Sequence, residues 1–315
     1  MFQTRIEIPQ NTVKITYEDN ILALGSCFAE NIGRKLKNVY FETDINPFGV
    51  LYNPVSIRNS LELLIENKFF TQADLFQHNG LWQSFSHSSL YSSTTAEKCL
   101  VTINERLKVA GDLLPRTNFL LITFGTAWVY EDKASGRVVS NCHKLPASIF
   151  FRRRLTVDEI VTDYSELISK LNVLYPKLNI IFSVSPIRHW KDGAHENNIS
   201  KSILLLAIEA LKQQFSTVHY FPAYEIQLDE LRDYRFYASD MLHPSDVAVD
   251  YIWKRFSETY FDDVTMGIKR ECEQLFGDLS HRPLFPESEE YEKFRKSTEK
   301  KKNDLLKKYP FLKLM

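Results

Sequence analysis

Two short clusters carry the side chains able to do acyl chemistry. Ser26 follows Gly25 at the end of the apolar run Ile21-Leu22-Ala23-Leu24, and Asp240-Met241-Leu242-His243-Pro244 lies more than two hundred residues later. A serine hydroxyl is a poor nucleophile near neutral pH. It needs a base beside it, and the base needs a group that fixes its tautomer. Three residues apart in a turn, Asp240 and His243 can face one cleft, with the carboxylate on one imidazole nitrogen. Pro244 disfavours helical geometry at His243 and places it on a loop. Each cluster alone has a plainer reading: Ser26 as a helix N-cap after a strand-to-helix turn, and Asp-x-x-His-Pro as a helix-start turn. Together they spell nucleophile, orienter and base. The elbow G-x-S-x-G is absent, which argues against an α/β-hydrolase fold.

These residues need a scaffold, and the hydrophobic pattern supplies one. Ile21–Leu24 has strand length and buried character, with a helix running from the Gly25-Ser26 turn to about Lys37. Val55–Asn67, Ala96–Leu113, Ser200–Phe215 and Asp246–Tyr260 have helical patterns. Thr156 opens another helix, to Leu174, with Glu159 completing a capping box. Asn118–Phe124, Asn179–Val184 and Val218–Pro222 are apolar runs of strand length. Strands buried on both faces and alternating with helices predict an α/β fold, a three-layer α/β/α sandwich around a mainly parallel sheet. In such sheets ligands sit at the C-terminal strand ends, where Ser26 falls and where its own N–H, opening a helix, is placed to meet an oxyanion. Beyond about Phe276 the chain turns to Glu and Lys. The expectation is a domain over 1–276 and a charged helical extension over 277–315.

Bulk properties narrow the function. Of 315 residues, 44% are hydrophobic and 25% charged, with a net charge of -1, which removes the electrostatic case for a nucleic-acid or anionic-membrane partner. No apolar run approaches the ~20 residues of a membrane span, and Met1–Glu7 carries no basic-then-apolar leader pattern. Cys27, Cys99, Cys142 and Cys272 are dispersed and read as free thiols of a cytoplasmic protein. Cys27 is expected to point away from the cleft, as a small buried hydrophobe. Cys142, His143, His189 and His195 lack the spacing of a structural zinc site. No metal or organic cofactor is expected. Arg188 either clamps a substrate carboxylate or phosphate or pairs with a surface acid.

Gly25-Ser26-Cys27-Phe28-Ala29 resembles the signature of the GSCFA family, itself similar to the SGNH (GDSL-like) hydrolase superfamily. Asn46-Pro47-Phe48-Gly49, Thr123–Trp128, Asn141-Cys142-His143-Lys144 and Ser185–His189 extend the resemblance over roughly residues 20–260. It implies Ser26 as nucleophile, His243 as general base, Asp240 as its orienter, and the Gly49 N–H as an oxyanion donor. The asparagine usual in the superfamily's third block aligns with Ala127, which has no side-chain donor. Thr126, Asn141 and His143 are the nearby substitutes, with Arg188 and His189 as substrate contacts. The implied activity is ester hydrolysis on a small-molecule or carbohydrate substrate, an O-acetylated sugar above all. Carbohydrate O-acyl transfer with the same triad, and a ligand-binding module without activity, are the alternatives. The oligomeric state is left open.

Overall fold

The computed structural model describes residues 4–9 and 13–313. Met1–Gln3, part of the stretch read for a leader, lie outside them. In chain order the elements are β1 (Ile21–Gly25), α1 (Cys27–Asn38), β2 (Thr43–Ile45), α2 (Pro54–Ile65), β3 (Phe76–His78), β4 (Leu81–Gln83), α3 (Ala96–Leu113) and β5 (Phe119–Phe124). Then come β6 (Trp128–Asp132), β7 (Val138–Val139), β8 (Phe150–Arg154), α4 (Val157–Leu174), β9 (Asn179–Val184) and α5 (Gly193–Gln214). The chain closes with β10 (Val218–Tyr220), the short α6 (Ala223–Glu225), α7 (Asp246–Tyr260), α8 (Asp263–Leu279) and α9 (Glu289–Lys308).

Five strands form one parallel sheet in the order β2-β1-β5-β9-β10. Successive side chains of a strand point to opposite faces, and each face meets its own helices. Leu22 and Leu24 of β1, Ile122 of β5 and Phe182 of β9 join a core with α2, α3, α4 and α5. Ile21, Ala23, Leu121 and Ile181 join a second core with α1, α7 and α8. The result is the α/β/α sandwich expected from the alternation of apolar runs and helices. Winding reverses between β1 and β5, so the crevice between their C-terminal ends is the place where such sheets bind ligands.

The expected helices over 96–113 and 246–260 are present at those bounds. The capping box at Thr156 is formed, with Thr156 N–H on Glu159 Oε2 at 2.7 Å and Glu159 N–H on Thr156 Oγ1 at 3.2 Å. Helix α5 starts at Gly193 rather than Ser200, because Asn197 and Ser200 are buried polar residues bonded to the strand-end loops and not part of an apolar stripe. The antiparallel hairpin β3–β4 and the antiparallel sheet β7-β6-β8 were not foreseen. Helix α8 runs uninterrupted through Phe276–Gly277, so the expected boundary falls inside it. The charged extension is helical, and α9 docks on the second core through Leu305, which is 5% exposed. Among the described residues no helix is long and apolar enough to cross a membrane.

Gly25 makes the crossover at the site possible. Its φ is +132°, and a Cβ there would lie 2.2 Å from the Thr123 carbonyl oxygen of β5. Gly25→Ala combines backbone strain with overpacking, so unfolding in urea is expected to show a loss of about 2–5 kcal/mol.

Candidate active site

The loops at the C-terminal ends of β1, β5 and β9 open onto a cleft of about 470 Å³. Ser26, Thr126, Asn141, Arg188, His189 and His243 all line it. Ser26 is only 1% exposed, and it keeps the helix-cap role of the plainer reading: its Oγ accepts the Phe28 N–H at 3.2 Å. That bond fixes the hydroxyl and leaves its proton to donate. Among the described residues no hydrogen bond links Ser26 Oγ to His243.

His243 is held by local bonds. Asp240 Oδ2 lies 2.5 Å from His243 Nδ1, and Asp240 Oδ1 accepts the N–H groups of Leu242 and His243, each at 2.9 Å. Met241 takes φ +58° to close this turn, and the Ala238 N–H donates to the His243 carbonyl at 2.7 Å. The two backbone N–H groups, and then the imidazole, pull the Asp240 carboxyl down to about 2. It therefore stays ionised through the neutral range. With Nδ1–H given to this carboxylate, Nε2 is the acceptor nitrogen.

Several expectations need correction. The Ser26 N–H donates to Thr123 O at 3.2 Å, continuing the sheet ladder, and is not turned toward the cleft. Gly49 does not line the cleft. Its N–H closes a turn on Asn46 O at 2.8 Å, and its positive φ and contact with Ser88, 2.0 Å from a built Cβ, explain the glycine. His143 also lies off the cleft, 5% exposed, with Nε2 2.8 Å from the Ser84 carbonyl and its ring edge-on to Phe76. Burial lowers its pKa. Cys27, expected to face the packing, lines the cleft with Sγ 3.8 Å from Tyr52 Oη. The first residue of a helix after a sharp turn does not alternate as a strand residue does.

The remaining candidates are held from behind. Thr126 Oγ1 shares a 3.0 Å bond with Ser200 Oγ and accepts the Trp128 N–H at 3.2 Å. Asn141 Oδ1 accepts the His143 N–H at 2.7 Å. His189 packs edge-on to Tyr52, and its backbone N–H donates to Asn197 Oδ1 at 2.9 Å. Burial first, and then Lys201, push its imidazole down to about 4, so it is neutral at neutral pH.

Two further residues build or brace the cleft. Asn53 lines the cleft; its Oδ1 caps α2 through the Ser56 N–H at 2.8 Å, and its amide nitrogen meets no acceptor among the described residues. Lys201, 1% exposed, donates to the carbonyls of Gly125 and Ser185, each at 2.7 Å, and so ties the loops after β5 and β9 together. A single lysine in an amphipathic helix resembles a solvated one, so no local signal marked it. Among the described residues no cluster of three or more His, Cys, Asp or Glu is placed to hold a metal ion.

This sheet order, with the Gly25-Ser26 turn at its switch point, defines an α/β chain whose cleft is built from strand-end loops. The GSCFA family matches residues 20–256, and the chain belongs to it. The description "GSCFA domain protein, C-terminal domain" matches residues 272–315. No curated protein matches. One solved structure, an acetyl xylan esterase from the rumen bacterium Butyrivibrio proteoclasticus, is 11% identical with a TM-score of 0.38. That likeness covers 78% of this chain and 63% of the esterase.

Burial, and then the Arg188 charge, bring the Lys201 amine down to about 7 from 10.5. The unfolded chain thus binds the extra proton between these values, and stability rises with pH across that window. In urea unfolding, the difference between wild type and Lys201→Met should grow from about pH 7 to about pH 10 and stay flat below.

Proposed function

We propose that the chain is a serine-dependent esterase of SGNH type that removes an O-acyl group, acetyl above all, from a carbohydrate or similar small ester. One observation carries this reading: Ser26 and His243 line the same cleft, and Asp240 stands 2.5 Å from His243 Nδ1. Ser26 Oγ attacks the acyl carbonyl while His243 Nε2 takes its proton and passes it to the departing sugar oxygen. Water, deprotonated by the same imidazole, then cleaves the acyl-serine and the proton returns to Oγ.

The oxyanion needs donors other than those the resemblance implied, since the Ser26 and Gly49 N–H groups are engaged. The Cys27 N–H, first in α1 and without an intrahelical acceptor, supplies one. The Asn53 amide supplies the other, replacing the donor missing at Ala127. Its Oδ1 is pinned by the helix cap, so the nitrogen is preorganised. The engaged N–H groups also favour a second reading, a ligand-binding module that keeps the cleft without the chemistry.

With 4-nitrophenyl acetate, Ser26→Ala and His243→Gln should each lower turnover by about a thousandfold or more. A fluorophosphonate should label wild type at Ser26. Unchanged turnover in Ser26→Ala ends the serine mechanism, and absence of labelling with intact ligand binding favours the module. Asn53→Asp keeps an oxygen to cap α2 but removes the amide donor; kcat should fall about a hundredfold while the unfolding midpoint holds.

A further inference from the structure

The charged lining of the cleft is chemically one-sided. Its lining includes Arg152, Arg188 and Lys191 against a single carboxylate, Asp192, in a chain whose net charge is -1. That carboxylate is already paired with Arg152. Lys191 donates to Tyr130 Oη at 3.0 Å. Arg188 has no ion pair among the described residues, so no acid of the described residues holds it.

The unmet hydrogen bonds point the same way. Trp128 Nε1, Arg152 Nε and Arg188 Nε are buried N–H donors without a partner, and all three belong to lining residues. No buried acceptor of a lining residue is left unmet among the described residues. A buried donor without a partner is costly, and the unmet polar side-chain atoms of the lining residues are all donors. Aromatic faces that would otherwise stack on a neutral sugar are covered: the Arg152 guanidinium lies 4.0 Å from the Trp128 ring centre and that of Arg188 4.7 Å from Trp190. A guanidinium held over a ring keeps N–H groups that can grip a carboxylate or phosphate through two bonds.

We propose that the cleft selects an acylated sugar carrying an anionic group, a carboxylate or a phosphate, seated on the edge of Arg188 beside Arg152 and Lys191. This rests on the esterase reading for the identity of the reacting bond, but the anion site stands on its own observations. Arg188 leaves β9 and Ser26 leaves β1, two places apart in the sheet.

The test compares O-acetyl glucose, O-acetyl glucuronate and O-acetyl glucose 6-phosphate, which offer the same ester with no charge, a carboxylate or a phosphate. Wild type should show kcat/KM at least ~10-fold higher on one or both anionic esters, a preference that shrinks as salt is raised. Whichever is preferred identifies the anion. Arg188→Gln should collapse the preference through KM, Arg188→Lys should keep part of it, and Arg295→Gln, which removes a charge from α9, should keep all of it. Equal use of neutral and anionic esters, or a preference that survives Arg188→Gln, overturns the proposal. Where no ester is hydrolysed, calorimetric titration of Ser26→Ala with glucose, glucuronate and glucose 6-phosphate decides. Binding of an anionic sugar alone, lost on adding Arg188→Gln, upholds the anion site while the esterase reading falls. Absence of such binding removes both.

Discussion

Because Gly25 has no side chain, the end of β1 rests directly on the Thr123 carbonyl of β5, and the rest of the cleft is built around that contact. The following N–H, from Ser26, then donates to the same carbonyl, so the sheet ladder extends one residue beyond the strand. Asn46 Oδ1 accepts the Gly25 N–H at 2.9 Å from the other side. Ser26 is thus fixed by backbone on both flanks before its side chain does anything. The cost is that the Ser26 N–H, a donor at the cleft edge of β1, is committed to the fold.

His243 is held by different means. Asp240 and His243 are nearly half exposed and sit in a turn whose bonds are almost all internal to residues 238–243. Ser26, set by long-range sheet contacts, therefore shares a cleft with His243, set by short-range ones. The first depends on global packing and the second does not, so the distance between them is governed by how α7 and its leading loop settle on the second core.

The parallel sheet was legible because its strands are apolar on both faces and its helices carry ordinary caps, as at Thr156. Ser26, Asp240 and His243 were legible as residue types at suggestive positions. What escaped has a common physical origin. Gly49 and His143 sit in polar, motif-like loops, and loops of that composition are built equally well inward or outward; only the bonds to Asn46 O and Ser84 O show which. Asn53 resembled an ordinary helix cap. Residues 128–154 form strands of only 5, 2 and 5 residues, runs too brief for periodicity to distinguish from loop.

Those short strands carry the feature with the widest consequence. On β6 and β8, Trp128 pairs with Arg154 and Tyr130 with Arg152, so one face of a small antiparallel sheet supplies much of the cleft's far wall. Its ladder shares no strand with the five-stranded sheet that carries Ser26. Under the proposed esterase reading, recognition and reactivity therefore have separate foundations. A lineage can rewrite one face of β6 and β8, acquiring new ligands, without disturbing the register on which the nucleophile depends. Divergence of specificity within such a scaffold is mechanically inexpensive.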